Sequence, residues 1–281
     1  MNTPRALTIA ALLFGTVPQF TSRVDVIRID ALVVSGGKPV VGLTAEDFEV
    51  RDNGVLQKVQ LSDASLSQLD VILALDMSAS LTDDRLAQLQ TASEALLKQL
   101  RPEDRAALVT FDQSVMQRRP LTSHFGSVRD ALRAGTRGGR TSLVDAMFTG
   151  LSLAERGDRR TLLLTFSDGV DTSSWLEPET VITIATQSAA VVYGVTATAP
   201  SATPAALRAI ATATGGDVME AKERQLESAF TDILDEFRHR YLLTFSPERA
   251  PSSGWHRLDV RVKRRGTTVK ARNGYFVGSK S

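Results

Sequence analysis

Asp70-Val71-Ile72-Leu73-Ala74-Leu75-Asp76-Met77-Ser78-Ala79-Ser80 is the stretch whose reading decides the fold. Val71 to Leu75 are apolar without alternation, which is the pattern of a short strand covered on both faces, as in a parallel sheet. The strand then runs out into acidic and hydroxyl residues. Outward from it, Ala106–Phe111, Thr161–Phe166 and Ala190–Val195 repeat the same short apolar run. Helical patterns separate these runs. Thr82 is placed to cap a helix with Asp83 and Asp84 in its first turn, and Leu86, Leu89, Leu96, Leu97 and Leu100 line one face before Pro102. Leu143, Ala146, Met147, Gly150, Leu151 and Ala154 form a second stripe that stops near Gly157. Thr203-Pro204 opens a third helix, with Leu207, Ile210 and Ala211 inward and Gly215 as its stop. Leu226, Phe230, Ile233, Leu234 and Phe237 mark a fourth. Strands alternating with helices on this scale predict an α/β fold with a doubly wound, mostly parallel sheet.

The two ends of the chain have a different character. Val24–Val34, Phe48–Arg51 and Val55–Leu61 read as strands, with Asp52-Asn53-Gly54 as a hairpin turn. Tyr241–Phe245, His256–Lys263 and Thr267–Arg272 read as strands at the far end. In His256–Lys263, Leu258, Val260 and Val262 alternate with Arg257, Asp259, Arg261 and Lys263, an apolar face set against a charged one. The basic run Arg257–Arg272 has two readings, a polyanion patch or a solvated strand face. No aromatics interleave with it to stack bases, which favours the solvated face. Further out, Met1–Phe20 carries Arg5 followed by an apolar stretch, Ala6–Val17. It reads as a signal peptide, with a buried N-terminal helix as the alternative. The expected organisation is a signal peptide over 1–22, a β-rich flank over 23–66, the α/β domain over 67–238 and a second β-rich flank over 239–281.

Composition excludes several classes. The 281 residues hold 42% hydrophobic and 23% charged residues, a globular balance, and 33 Lys plus Arg against 32 Asp plus Glu leave a net charge of +1. That charge gives no reason to expect a nucleic-acid partner. Without cysteine there is no disulfide, no thiolate nucleophile and no Cys-ligated metal. The three histidines, His124, His239 and His256, are scattered. No later stretch is apolar for long enough to span a membrane in the mature chain.

Ligands of open α/β sheets bind beyond the carboxyl ends of the strands. Three loops open there: Asp76-Met77-Ser78-Ala79-Ser80, Gly138-Gly139-Arg140-Thr141 and Ser167-Asp168-Gly169. Asp76, Ser78, Ser80, Thr141 and Asp168 offer only oxygen, which suits a hard, small cation such as Mg²⁺, with Mn²⁺ as a close substitute and Ca²⁺ also open. The set Asp76-x-Ser78-x-Ser80, Thr141 and Asp168 resembles the metal-ion-dependent adhesion site of von Willebrand factor type A (VWA) domains. The resemblance covers about residues 67–238, and all five positions match in order. The flanks, Gly42–Val50 with Asp52-Asn53-Gly54 and Val260–Lys263 with Ala271–Phe276, resemble those of a bacterial family of exported VWA-related proteins. It implies a Rossmann-like VWA domain inserted into, or flanked by, a small antiparallel β-sandwich built from both chain ends.

The same resemblance implies a function. The expectation is an exported protein (periplasmic, cell-surface or secreted) that binds an acidic group of a protein partner through the ion. Asp112, Arg140, Asp171 and Trp175 stand beside the motif as candidates for partner contact. Each has a structural alternative: Asp112 as a turn cap, Arg140 as an exposed residue, Asp171 as a brace for its own loop, Trp175 as packing. A metal-independent assembly scaffold needs the same ligand set and stays open. A metal-dependent hydrolase has little support. No histidine adjoins the motif, no Gly-x-Ser-x-Gly elbow is present, and Gly135–Ser142 lacks the glycine spacing and lysine of a phosphate-binding loop. No catalytic residue is assigned.

Overall fold

The computed structural model describes residues 26–64, 67–154, 159–197, 204–222, 225–249 and 253–277. The expected signal peptide falls outside the described residues, as do Thr203 and Gly157. The chain opens with β1 (Ile27–Ser35), β2 (Lys38–Pro39), β3 (Phe48–Asp52), β4 (Val55–Gln57) and β5 (Gln60–Ser62). Next come β6 (Leu69–Asp76), α1 (Asp83–Lys98), β7 (Arg105–Phe111), β8 (Val115–Thr122), α2 (Phe125–Arg133) and α3 (Leu143–Leu153). They are followed by β9 (Arg160–Ser167), α4 (Pro178–Gln187), β10 (Val191–Thr196), α5 (Ala205–Thr214), β11 (Val218–Glu220) and α6 (Leu226–Arg238). β12 (Tyr241–Phe245), β13 (Gly254–Val262), β14 (Thr268–Lys270) and β15 (Gly274–Val277) close the order.

Every residue of β6 is buried, which is why its sequence shows no alternation. Side chains still alternate between faces. Val71, Leu73 and Leu75 pack with α1, α2 and α6 on one side, while Ile72 and Ala74 pack with α3, α4 and α5 on the other. Strand order in this sheet is β11-β10-β9-β6-β7-β8, parallel except for β8. Thr82 caps α1, its hydroxyl accepting from the Arg85 amide at 3.2 Å. Gly215 ends α5 in the left-handed region at φ 80°.

Sequence patterning missed the short strands β2, β11 and β15, and also β8, α2 and α4. β8 is an edge strand carrying Arg118, Arg119 and Pro120, residues that protect an edge and hide its strand character. α2 buries only Val128 and Leu132, and α4 only Val181 and Ala185. Two buried positions are too few to write a periodic stripe.

The two β-rich flanks meet. β1 pairs antiparallel with β12 and β14, and β3 pairs with β13. Two sheets result, β14-β1-β12-β5 with β2 beside β1, and β15-β13-β3-β4. Between them lies a separate core of Ile29, Val33, Phe48, Val50, Leu243, Phe245, Leu258 and Tyr275. Neither end has enough strands for such a core alone. Asn53 (φ 48°) and Gly54 (φ 85°) form the expected tight turn of the β3–β4 hairpin. The single returning strand expected over Val55–Leu61 is instead two. β4 stays with β3, and after Lys58-Val59 the chain crosses so that β5 pairs with β12 in the facing sheet. Alternation along the sequence cannot reveal that crossing, because both halves keep extended backbone.

Candidate metal centre

The parallel strands β6 and β9 end side by side at Asp76 and Ser167, with β7 ending beside β6 at Phe111. The loops beyond them are tied together by backbone bonds. The Gly138 amide donates to the Met77 carbonyl at 2.9 Å and the Ala79 amide to the Gly139 carbonyl at 3.1 Å. Thr172 and Ser173 amides both donate to the Thr141 carbonyl, at 2.8 and 3.0 Å. These links bring all five motif residues to one rim of the sheet.

Asp76 is fully buried. Its Oδ1 accepts from the Ser78 amide at 2.9 Å and its Oδ2 from the Ser167 hydroxyl at 2.7 Å. Ser78 Oγ lies 3.0 Å from Ser80 Oγ, and Ser80 Oγ donates to Asp168 Oδ1 at 2.9 Å. A Cβ added to Gly169 would stand 3.8 Å from both Ser80 Oγ and Thr141 Oγ1, so those hydroxyls share one side of that residue. Burial pushes the Asp76 carboxyl above its ordinary range, the serine hydrogen bonds oppose the shift, and the neighbouring Asp168 charge adds to it. A buried carboxylate beside a second one needs a positive charge or a proton.

Among the described residues no group of three or more His, Asp or Glu is placed to hold a metal. This rim has two carboxylates and three hydroxyls, so any ion here depends on neutral oxygens for most of its protein ligands. That donor set fits a hard divalent cation and leaves room in its shell for a further oxygen ligand.

The flanking candidates separate. Asp112 turns back on its own loop, accepting from the Ser114 amide at 2.7 Å and hydroxyl at 2.9 Å. Asp171 braces its loop against α3, accepting from the Val144 amide at 2.8 Å and the Ser174 hydroxyl at 2.5 Å. Arg140 is exposed and donates to the Thr172 carbonyl. Trp175 projects its side chain into solvent at 91% exposure, with Val170 nearby in sequence at 60%. Two supporting residues escaped the sequence reading. Ser167 holds Asp76, and Asp145 accepts from the Trp175 and Leu176 amides at 2.9 and 3.0 Å, fixing that loop to α3. Ser167 was visible inside Ser167-Asp168-Gly169, whereas Asp145 gave no local signal.

Comparison with known proteins identifies the domain to which this α/β sheet belongs. Residues 71–171 match the model of the von Willebrand factor type A domain, so the chain carries a domain of that family. Proximal thread matrix protein 1 from the mussel byssus superposes with a TM-score of 0.55 at 13% identity, the match covering 67% of this chain and 50% of that one. Another structure of that mussel protein, described with a zinc-occupied MIDAS motif, gives 0.55 at 14% identity over 66% of this chain and 49% of the other. A von Willebrand factor type A protein from Catenulispora acidiphila gives 0.53 at 12% identity, covering 93% of this chain and 76% of its own. At such identities the likeness is one of fold. This chain spans about half the length of the mussel protein. No curated protein matches it in sequence.

Proposed function

We propose that this chain is a divalent-metal-dependent protein-binding module. The observation that carries the reading is the convergence of Asp76, Ser78, Ser80, Thr141 and Asp168 at one rim, oxygen donors only. Asp76 and Asp168 supply charge, and the hydroxyls complete the protein's share of the ligands. Bound there, Mg²⁺ (or Mn²⁺ or Ca²⁺) would remain electrophilic toward a carboxylate of a protein partner. The mussel protein with its zinc-occupied MIDAS motif supports metal binding in this fold. Trp175 and Arg140 are the flanking residues best exposed to contact a partner, while Asp112 and Asp171 would act by shaping the rim. VWA domains are generally interaction modules, and this reading assigns binding without turnover. His124 follows the end of β8 at the opposite edge of the sheet, and His256 is buried in the sandwich.

A second reading has its own support. Ser167–Asp76 and Ser78–Ser80–Asp168 already close a hydrogen-bonded chain, as a metal-independent scaffold would need. Calorimetric titration of Mg²⁺ and Mn²⁺ into chelator-stripped protein separates the two. Saturable one-site binding, lost in Asp168→Ala, supports the metal module; no binding in the wild type leaves the scaffold.

Among the described residues no helix is long and apolar enough to cross a membrane. We assign the working units as 1–22 signal peptide, 23–66 and 239–281 sandwich, and 67–238 VWA domain, and propose export on the strength of Arg5 and the apolar Ala6–Val17 segment.

A further inference from the structure

At the edge of the central sheet opposite the carboxyl rim, the sandwich meets the α/β unit through buried arginines. Arg240, 1% exposed, donates to the Tyr193 hydroxyl at 2.7 Å, the Gly215 carbonyl at 2.5 Å and the Asp30 carbonyl at 3.1 Å. Beside it lies a partly open cavity of about 60 Å³, bordered by four arginines (Arg28, Arg159, Arg160 and Arg272) and one carboxylate, Asp30. The Arg159 charge is already met, since its Nε donates to Asp70 Oδ1 at 2.8 Å.

Arg160 and Arg272 are differently placed. Arg160 is 4% exposed. Its Nε donates to Asp30 Oδ1 at 2.6 Å and its Nη2 to the Phe237 carbonyl at 2.8 Å, while its guanidinium lies 4.7 Å from the Phe237 ring centre. Its Nη1 is buried and has no protein partner. Arg272 donates to two carbonyls, from Nε to Gly274 at 2.8 Å and from Nη2 to Thr186, neither of which carries a countercharge. Burial pulls its pKa down to about 10, with Asp30 the main charge opposing that shift. One carboxylate, Asp30, therefore faces the buried Arg160 and the partly buried Arg272.

An unpartnered Nη1 asks for an acceptor, and an excess of positive charge in a largely desolvated corner asks for an anion. Water would satisfy the first need but not the second. The volume is several times the ~10–15 Å³ that one water requires, and with Ala189 exposed at its border a small ion can enter. We propose that this cavity binds a free tetrahedral oxyanion of the phosphate or sulfate class, held by the Arg160 and Arg272 side chains that border it, and that the anion ties the sandwich to the α/β unit. The site is independent of the metal rim, at the other end of the same strands.

The test is heat denaturation of the chelator-treated protein in inorganic phosphate, sulfate or chloride at matched ionic strength. Up to about 10 mM phosphate should raise Tm saturably by about 3 °C over chloride, as linkage predicts for a site filled well above its Kd. Calorimetry of phosphate into wild type should show one site, weakened at least about tenfold in Arg272→Gln, the scale of one lost charge-assisted contact. Chelator throughout separates this site from the metal rim. A general salting effect would raise Tm without saturating and would persist in the variant. Wild type responding no more to phosphate and sulfate than to chloride, or Arg272→Gln binding phosphate as tightly as wild type, would overturn the proposal and leave the cavity to water.

Discussion

The two edges of the central sheet are chemically opposite. At the carboxyl rim, loops present Asp76 and Asp168 with three hydroxyls, and the side chains bond mainly to one another. At the amino edge, Arg160 reaches across to Asp30 on the sandwich strand β1, and Arg240, just before β12, reaches back to Tyr193 and Gly215 of the α/β unit. Parallel strands make this division possible, because all their carboxyl ends emerge on one side. The rim buries Asp76 completely but leaves Asp168 partly exposed. The seam buries its charges where they hold two folding units together. Changes at the rim should therefore alter binding with little effect on stability, and changes at the seam should do the reverse.

The largest expected effect tests the rim. Asp168→Ala should abolish measurable Mg²⁺ and Mn²⁺ binding by calorimetry, while Tm moves by less than about 2 °C, since Asp168 is only half-buried and accepts from one serine. An unfolded variant would break the comparison by making the rim structural. At the seam, Gly215→Ala should destabilise by about 3 kcal/mol or more. Gly215 has φ 80°, and a Cβ there would stand 2.5 Å from the Ala271 carbonyl carbon of the sandwich connection. Urea denaturation measures the loss, and unchanged stability would mean that the seam can open without cost.

Arg240→Met should cost about 3 kcal/mol, because it leaves the buried Gly215 carbonyl and Tyr193 hydroxyl short of a donor. In the same variant the divalent-ion affinity should stay within about threefold of wild type, which sharpens the claim that the edges are independent. The smallest effect belongs to Thr82→Ala, the cap of the helix that follows the Asp76 loop. It should lower stability by about 1 kcal/mol in urea. A simultaneous large loss of ion affinity would show that the rim depends on the order of α1.

Much of the sheet was legible because burial on both faces writes itself as unbroken apolar runs, as in Val71–Leu75 and Thr161–Phe166. The rim residues were legible too, since Asp76, Ser78 and Ser80 lie within one loop and the other loops follow strand or helix signals. Support for the rim was less visible. Asp145 acts through a contact thirty residues away in the chain, and the sequence leaves Asp112 and Asp171 open between partner contact and bracing a turn or loop until their amide partners are placed.

By itself, the sequence determined which residues form most of the strands and helices, where Asn53-Gly54 turns the chain and where Gly215 stops α5. Those outcomes follow from local backbone preference and the periodicity of burial. Only the tertiary structure decided that β1 and β12 pair across the whole α/β unit, and that the strand after Gln57 changes sheets. It alone placed the seam arginines around one carboxylate. It also decided that Gly215, a helix stop by its φ, is a point of close approach to the sandwich. Contacts between distant segments depend on packing geometry in three dimensions, and no local pattern records which neighbour a buried side chain will meet.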